Sequence, residues 1–124
     1  MPGKRRYPLF LLLVLLLILS PACSQKLVDK NFTIGSRDLL IDVRTAEEFN
    51  DGHLPGAINI PYTEIRERIG DYTRDRRARI VVYCRSGRRS DIAKETLGKM
   101  GYRNVVDAGS YSQLKKLDIS KPGY

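Results

Sequence analysis

IVVYCRSGRRS, residues Ile80 to Ser90, sets four apolar or aromatic residues directly before a cysteine and opens an amphipathic pattern directly after it. Ile80 to Tyr83 reads as a short buried strand. Ser90 to Met100, with Ile92, Ala93, Leu97 and Met100 along one face, reads as a helix stopped by Gly101. Cys84 therefore falls in a strand-to-helix turn. Gly87 lets that turn fold tightly, and a turn ahead of a helix can aim successive backbone N–H groups and the positive helix end at one anionic atom. Here that atom is the cysteine sulfur. Arg85, Arg88 and Arg89 lie within five residues of it and favour its thiolate. The pattern is that of a nucleophile.

Outward from this turn, the chain alternates strand and helix. Leu39 to Val43 is a continuous aliphatic run with polar residues only toward its end, at Asp42 and Arg44, as expected of a strand buried on both faces. Thr45 can cap a helical turn carrying Glu47, Glu48 and Phe49, and Gly52-His53-Leu54-Pro55-Gly56 is loop. Ala57 to Ile60 reads as another strand, closed by Pro61. Ile65 and Ile69 support a short helix that Gly70 ends, Asn104 to Val106 the next strand, Ala108-Gly109 a turn, and Tyr111 to Leu117 a last helix. The alternation predicts an α/β fold, a small parallel β-sheet flanked by helices on both faces. Ligands of such sheets gather at the C-terminal strand ends, where Asp42, Arg44 and Cys84 fall.

At 124 residues, 42% hydrophobic and 29% charged, the chain fits one small domain plus an appendage. The appendage is N-terminal. Lys4, Arg5 and Arg6 precede an apolar run from Leu9 to Leu19, then Ser20, Pro21 and Ala22, which reads as a signal peptide over residues 1–22. The run is shorter than the roughly 18 to 20 residues that cross a bilayer. Cys23 directly follows, as in a bacterial lipoprotein whose acylated cysteine becomes the mature N-terminus, although Ser20 stands where such signals usually carry leucine. Ordinary signal cleavage at the same bond and an uncleaved anchor are the alternatives. Left unacylated, Cys23 could pair with Cys84 and block it.

Residues 23–36 are then a tether and 37–124 the domain, expected as an exported, periplasmic, membrane-tethered monomer. The formal charge is +8, or +5 with the three basic residues of the leader set aside. An exported domain has no nucleic-acid partner. The cluster Arg74, Arg76, Arg77 and Arg79 reads as a solvated loop able to favour anionic lipid headgroups.

The chemistry is narrowed by what surrounds Cys84. The single histidine, His53, sits in a glycine-flanked turn and reads as a structural hydrogen-bonder rather than half of a Cys-His dyad. No cysteine near Cys84 offers a CxxC redox pair or a thiolate metal site. Cysteine phosphatases place five residues between nucleophile and arginine; here four stand between Cys84 and Arg89. The shorter loop encloses less space and suits a sulfur atom on the cysteine better than a tetrahedral phosphoryl group.

DVRTAEEFNDGHLPGAINIP, Asp42 to Pro61, resembles the family motif of rhodanese domains. CRSGRRS, Cys84 to Ser90, resembles their active-site loop in its six-residue sulfurtransferase form, and the likeness runs on through AKETLGKMGYRNVVDAG to Gly109. The resemblance is to the small exported single-domain type. It implies a rhodanese-like fold and cofactor-free thiosulfate sulfurtransfer by double displacement, with thiosulfate and a small thiophilic acceptor, cyanide or a thiol, as partners. Cys84 would be the nucleophile and persulfide carrier. The amides of Arg85, Ser86, Gly87, Arg88 and Arg89 would hold the persulfide, with Arg88 and Arg89 drawing in the anion.

Asp42, Arg44 and Ser90 match loop-supporting positions, and Arg85 would either touch substrate or pair with Asp42. The chain departs from the family after its last strand. Ala108-Gly109-Ser110-Tyr111 replaces a Gly-Gly and tryptophan-bearing helix, and the chain has no tryptophan, which would leave the site more open. Other readings of the same residues are a persulfide carrier that does not turn over, a cysteine phosphatase or arsenate reductase, and an inactive interaction domain.

Overall fold

The computed structural model describes Val28, Asp29 and residues 31–117. The signal peptide, Cys23 and the start of the tether lie outside the described residues. Four strands form one sheet: β1 (Leu39–Asp42), β2 (Ile58–Asn59), β3 (Ile80–Cys84) and β4 (Val105–Ser110), in the order β2-β1-β3-β4. All three pairings are parallel. Parallel neighbours require crossovers. Helix α1 (Ala46–Asp51) lies between β1 and β2, α2 (Ile65–Arg68) and a 3₁₀ turn (Ile69–Asp71) precede β3, α3 (Arg88–Lys99) joins β3 to β4, and α4 (Tyr111–Leu114) follows β4.

β1 and β3 are central, so both of their faces are covered, and every residue of β3 is buried. Side-chain alternation sorts them into two cores. Ile41, Val43, Ile80, Val82 and Cys84 pack with Ile65, Ile69, Ala93 and Leu97 from the helical side. Leu40, Val81 and Tyr83 point the other way, against Leu54, Ala108 and Leu114. Val28, Phe32 and Ile34 pack on this second core as well. The segment read as a tether thus contacts the domain through Val28, Phe32 and Ile34.

Several elements differ from expectation: the last helix stops at Leu114 rather than Leu117, and Gly70 does not end the helix of Ile65 but lies inside the 3₁₀ turn that continues to Asp71. α3 begins at Arg88, two residues earlier, because Gly87 takes a left-handed φ of 99° at its N-cap. β2 is two residues rather than four, an edge strand registered only on Ile41 and Asp42. Ala108-Gly109 is not a turn but lies inside β4, where Val82 pairs with Asp107 and Tyr83 with Gly109. The extra residue, Ala108, makes a bulge, and Gly109 accommodates it at φ 77°. The bulge carries β4 on to Ser110, level with Cys84.

Candidate active site

Cys84 is the last residue of β3, so the sheet itself fixes its Cα. Its side chain belongs to the helical core face and is buried. Sγ accepts the Gly87 N–H at 2.9 Å and lies 3.4 Å from Ser90 Oγ, toward which its S–H is directed. The Ser90 hydroxyl in turn donates to the Gly87 carbonyl at 3.0 Å. Gly87 presents this N–H while its own backbone is left-handed as it leads into the helix, a conformation a β-carbon opposes. The sulfur so held sits at the start of a twelve-residue helix, where unpaired N–H groups concentrate partial positive charge.

The arginines divide into two kinds. Arg85 and Arg88 are exposed and make no ion pair. Arg89 is half-buried and clamped on Glu48, Nη1 to Oε1 at 2.7 Å and Nη2 to Oε2 at 3.0 Å. The Arg89 hydrogen bonds, with its charge and those from Thr45, hold the Glu48 carboxyl down at about 2. The pair likewise raises Arg89. Glu48 is presented by a capping box: its N–H donates to Thr45 Oγ1 at 3.2 Å while Oε1 accepts the Thr45 N–H at 3.4 Å. Glu48 was not among the expected site residues. Its signal was the Thr-x-x-Glu spacing of residues 45–48.

Asp42 and Arg44 form a buried bidentate pair, with Arg44 Nη2 2.6 Å from Oδ2 and Nε 3.0 Å from Oδ1. Asp42 is therefore taken by Arg44 and not by Arg85. Burial works against the Arg44 charge, yet the Asp42 hydrogen bond and charge raise its pKa above the ordinary value. The same guanidinium donates to the Gly52 carbonyl at 2.7 Å and lies 4.3 Å from the centre of the Tyr111 ring. Asn59 Nδ2 ties the two carbonyls of Asp42 and Arg44 to the edge strand. On the same face of the sheet Tyr83, its ring centre 5.8 Å from the Arg44 guanidinium, accepts the Leu54 N–H at 3.1 Å, and burial pushes its hydroxyl up.

Above the loop opens a cleft of 590 Å³, lined by Arg44, Glu48, Asp51, Arg85, Ser86, Tyr111 and Ser112. Arg85 and Ser86, which directly follow Cys84, are exposed in this lining, while Cys84 itself is buried. Tyr111, the first residue of the helix that follows β4, forms part of the cleft wall. Nothing local marks Tyr111, Asp51 or Ser112 as cleft residues in the sequence, because the wall is assembled by the sheet bringing β1 and β4 to one end. His53 is occupied elsewhere, its Nδ1 2.9 Å from the Phe49 carbonyl and its ring stacked on Phe49 at 3.7 Å. Among the described residues no cluster of histidine, cysteine or carboxylate could hold a metal ion, and no helix is long and apolar enough to cross a membrane.

A parallel sheet that delivers one thiol into the start of a helix, under a short arginine-bearing loop, defines an α/β domain of the single-cysteine-loop class. The chain belongs to the rhodanese-like domain family, whose model matches residues 24–116. It is 45% identical over 74 residues to thiosulfate sulfurtransferase PspE of Escherichia coli, covering 60% of this chain and 71% of that protein. A sulfurtransferase of Allochromatium vinosum is 36% identical over 88 residues, 71% of this chain and 76% of the relative. In structure, a rhodanese with anions from E. coli superposes with a TM-score of 0.59 at 43% identity, over 61% of this chain and 89% of the other.

Proposed function

We propose that the protein is a thiosulfate sulfurtransferase that works through a persulfide on Cys84. The observation that carries this reading is the sulfur itself, held at the mouth of a helix with the Gly87 N–H on it at 2.9 Å. A thiolate there attacks the outer sulfur of thiosulfate. The S–S bond of thiosulfate breaks, sulfite leaves with the bonding electron pair, and the transferred atom remains on Cys84 as a terminal persulfide sulfur. An acceptor, cyanide or a thiolate, then attacks that atom and restores the Cys84 thiolate. Oriented amides hold the negative charge that moves between Sγ and the added sulfur. Arg85 and Arg88, exposed and unpaired, draw the donor dianion to the cleft. The likeness to PspE, named a thiosulfate sulfurtransferase, supports the choice of donor.

A second reading is a persulfide carrier, and the burial of Cys84 favours it, because a covered sulfur is guarded from casual small acceptors. The leader sequence supports export, with Cys23 as the site of a lipid tether. The deciding experiment is intact-protein mass spectrometry before and after thiosulfate, followed by cyanide. Sulfurtransfer requires a gain of one sulfur atom, about 32 Da, that cyanide removes and C84S never shows. A gain that cyanide leaves in place makes the protein a carrier, and no gain removes both readings.

A further inference from the structure

Because the strands are all parallel, the sheet has two unlike ends, and the cysteine loop occupies only the C-terminal one. The N-terminal end is built from three adjoining strand entrances. Leu39 N–H donates to the Arg79 carbonyl at 3.0 Å and Ile80 N–H to the Asn104 carbonyl at 3.0 Å, while Arg103 N–H reaches back to the Arg76 carbonyl at 2.9 Å. These bonds place the Arg74 to Arg79 loop, Arg103 and Arg37 at one edge. The loop is ordered in its own right. Tyr102 Oη donates to the Thr73 carbonyl at 2.7 Å, Thr73 Oγ1 accepts the Asp75 N–H at 3.2 Å, and the Arg76 guanidinium lies 4.3 Å from the Tyr102 ring centre.

At this edge six arginines meet three aspartates, Asp38, Asp71 and Asp75. Asp38 is held by Arg79. Arg37, Arg74, Arg77 and Arg103 are exposed. Around the cysteine loop two arginines are paired off, Arg44 on Asp42 and Arg89 on Glu48, and only Arg85 and Arg88 are left exposed without an ion pair, against those four here. The basic edge also carries Tyr72, 45% exposed and the one exposed large hydrophobic among the described residues. An exposed tyrosine that hydrogen-bonds with Arg68 and precedes the Arg74 to Arg79 loop matches the headgroup layer of a membrane, which takes an amphipathic ring and positive charge together.

The geometry points to this edge as a docking face for an anionic phospholipid surface, which turns the catalytic cleft away from the bilayer. The chain enters the domain at the same end of the sheet: residues 31–38 lead into β1, and Phe32 lies beneath Arg79. Only four residues separate Cys23 from Val28, five steps along the chain with a reach of at most about 18 Å, so a chain held at Cys23 keeps the domain within touching distance of the bilayer. The inference does not depend on the sulfur chemistry.

The chain has no tryptophan, so Tyr72→Trp introduces a single reporter into the full chain on vesicles containing brominated lipid. Quenching is expected at position 72 on vesicles with phosphatidylglycerol and not on phosphatidylcholine alone. A reporter at the opposite end, Glu47→Trp, should stay unquenched on both. Adding R74E/R77E to the first reporter should lower the ratio of docked to undocked domain by about twenty-five-fold or more, at about fivefold for each basic residue removed and a further loss from the acidic ones added. Both arginines are exposed, and unchanged thermal unfolding confirms that the variant folds. No quenching at position 72 on the anionic vesicles overturns the proposal. So does equal quenching on both lipids, which would mean that the N-terminal segment alone brings the domain down, or equal quenching of the two reporters.

Discussion

The Arg89 guanidinium rests on both carboxylate oxygens of Glu48, 2.7 and 3.0 Å away, and this joins the cysteine loop to helix α1 across 41 residues of sequence. The charge of Arg89 is therefore not free to bind a donor anion in the way its neighbours can. Glu48 is held at about 2, below its ordinary 4.5, so the pair stabilises the fold fully above pH 4.5 and loses that contribution as pH falls toward 2. Glu48→Gln should lower the unfolding free energy at pH 7 by about 1 to 2 kcal/mol, after allowance for the partial exposure of both side chains. Urea unfolding across that pH range should show the gap between parent and variant closing. A gap unchanged at pH 2 would mean that the charge of Glu48 is not what it contributes.

Arg85 and Arg88 are the loop arginines left without an acidic partner. Arg85→Ala and Arg88→Ala should each raise the KM for thiosulfate several-fold and alter kcat little, with the larger effect at low ionic strength where the field reaches furthest. Steady-state kinetics at two salt concentrations read this directly. Arg89→Ala should behave differently and lose stability, since it strands Glu48. If KM stays put in both exposed-arginine variants, the anion is recruited elsewhere.

Gly87→Ala separates strain from crowding. The nearest heavy atom to an added β-carbon is Gly109 Cα at 3.8 Å, an ordinary contact, but φ is +99°. The variant should lose about 1 to 2 kcal/mol, and any relief of the strain swings the N–H off the sulfur. Persulfide formation in a single turnover should then fall about a hundredfold, at the mild end of what loss of one oriented donor costs. Lowered stability with undiminished persulfide formation would show that the Gly87 amide does not serve the transferred charge.

What was legible in the sequence follows a physical division. β1, β3 and α3 are each written in a local period, an apolar run or a stripe that needs no partner to be recognised, and Cys84 lies where two of them meet. The rest depends on pairing across distance. The bulge at Ala108 exists only because β4 must keep step with β3, and Ala108-Gly109 read alone has the composition of a turn. The packing of Val28, Phe32 and Ile34 needs the second face of the sheet to be present before those side chains have anything to cover. Glu48 and Tyr111 enter the site through a partner residue far along the chain, Arg89 for one and Arg44 for the other.

The buried pair of Asp42 and Arg44 bears on stability more than any exposed charge. Both side chains are nearly inaccessible, and the pair is anchored to the Gly52 carbonyl and the Tyr111 ring. Asp42→Asn would leave the Arg44 charge without its counter-ion in the low-dielectric interior, at a cost of about 3 to 5 kcal/mol. The double variant D42N/R44M, which removes the orphaned charge too, should recover part of that loss, because a well-packed apolar side chain avoids the desolvation that a lone guanidinium suffers. Urea unfolding of the parent, the single and the double variants measures both terms. A double variant less stable than D42N would mean that Arg44 stabilises the fold through its hydrogen bond to Gly52 and its stacking on Tyr111, independently of the charge on Asp42.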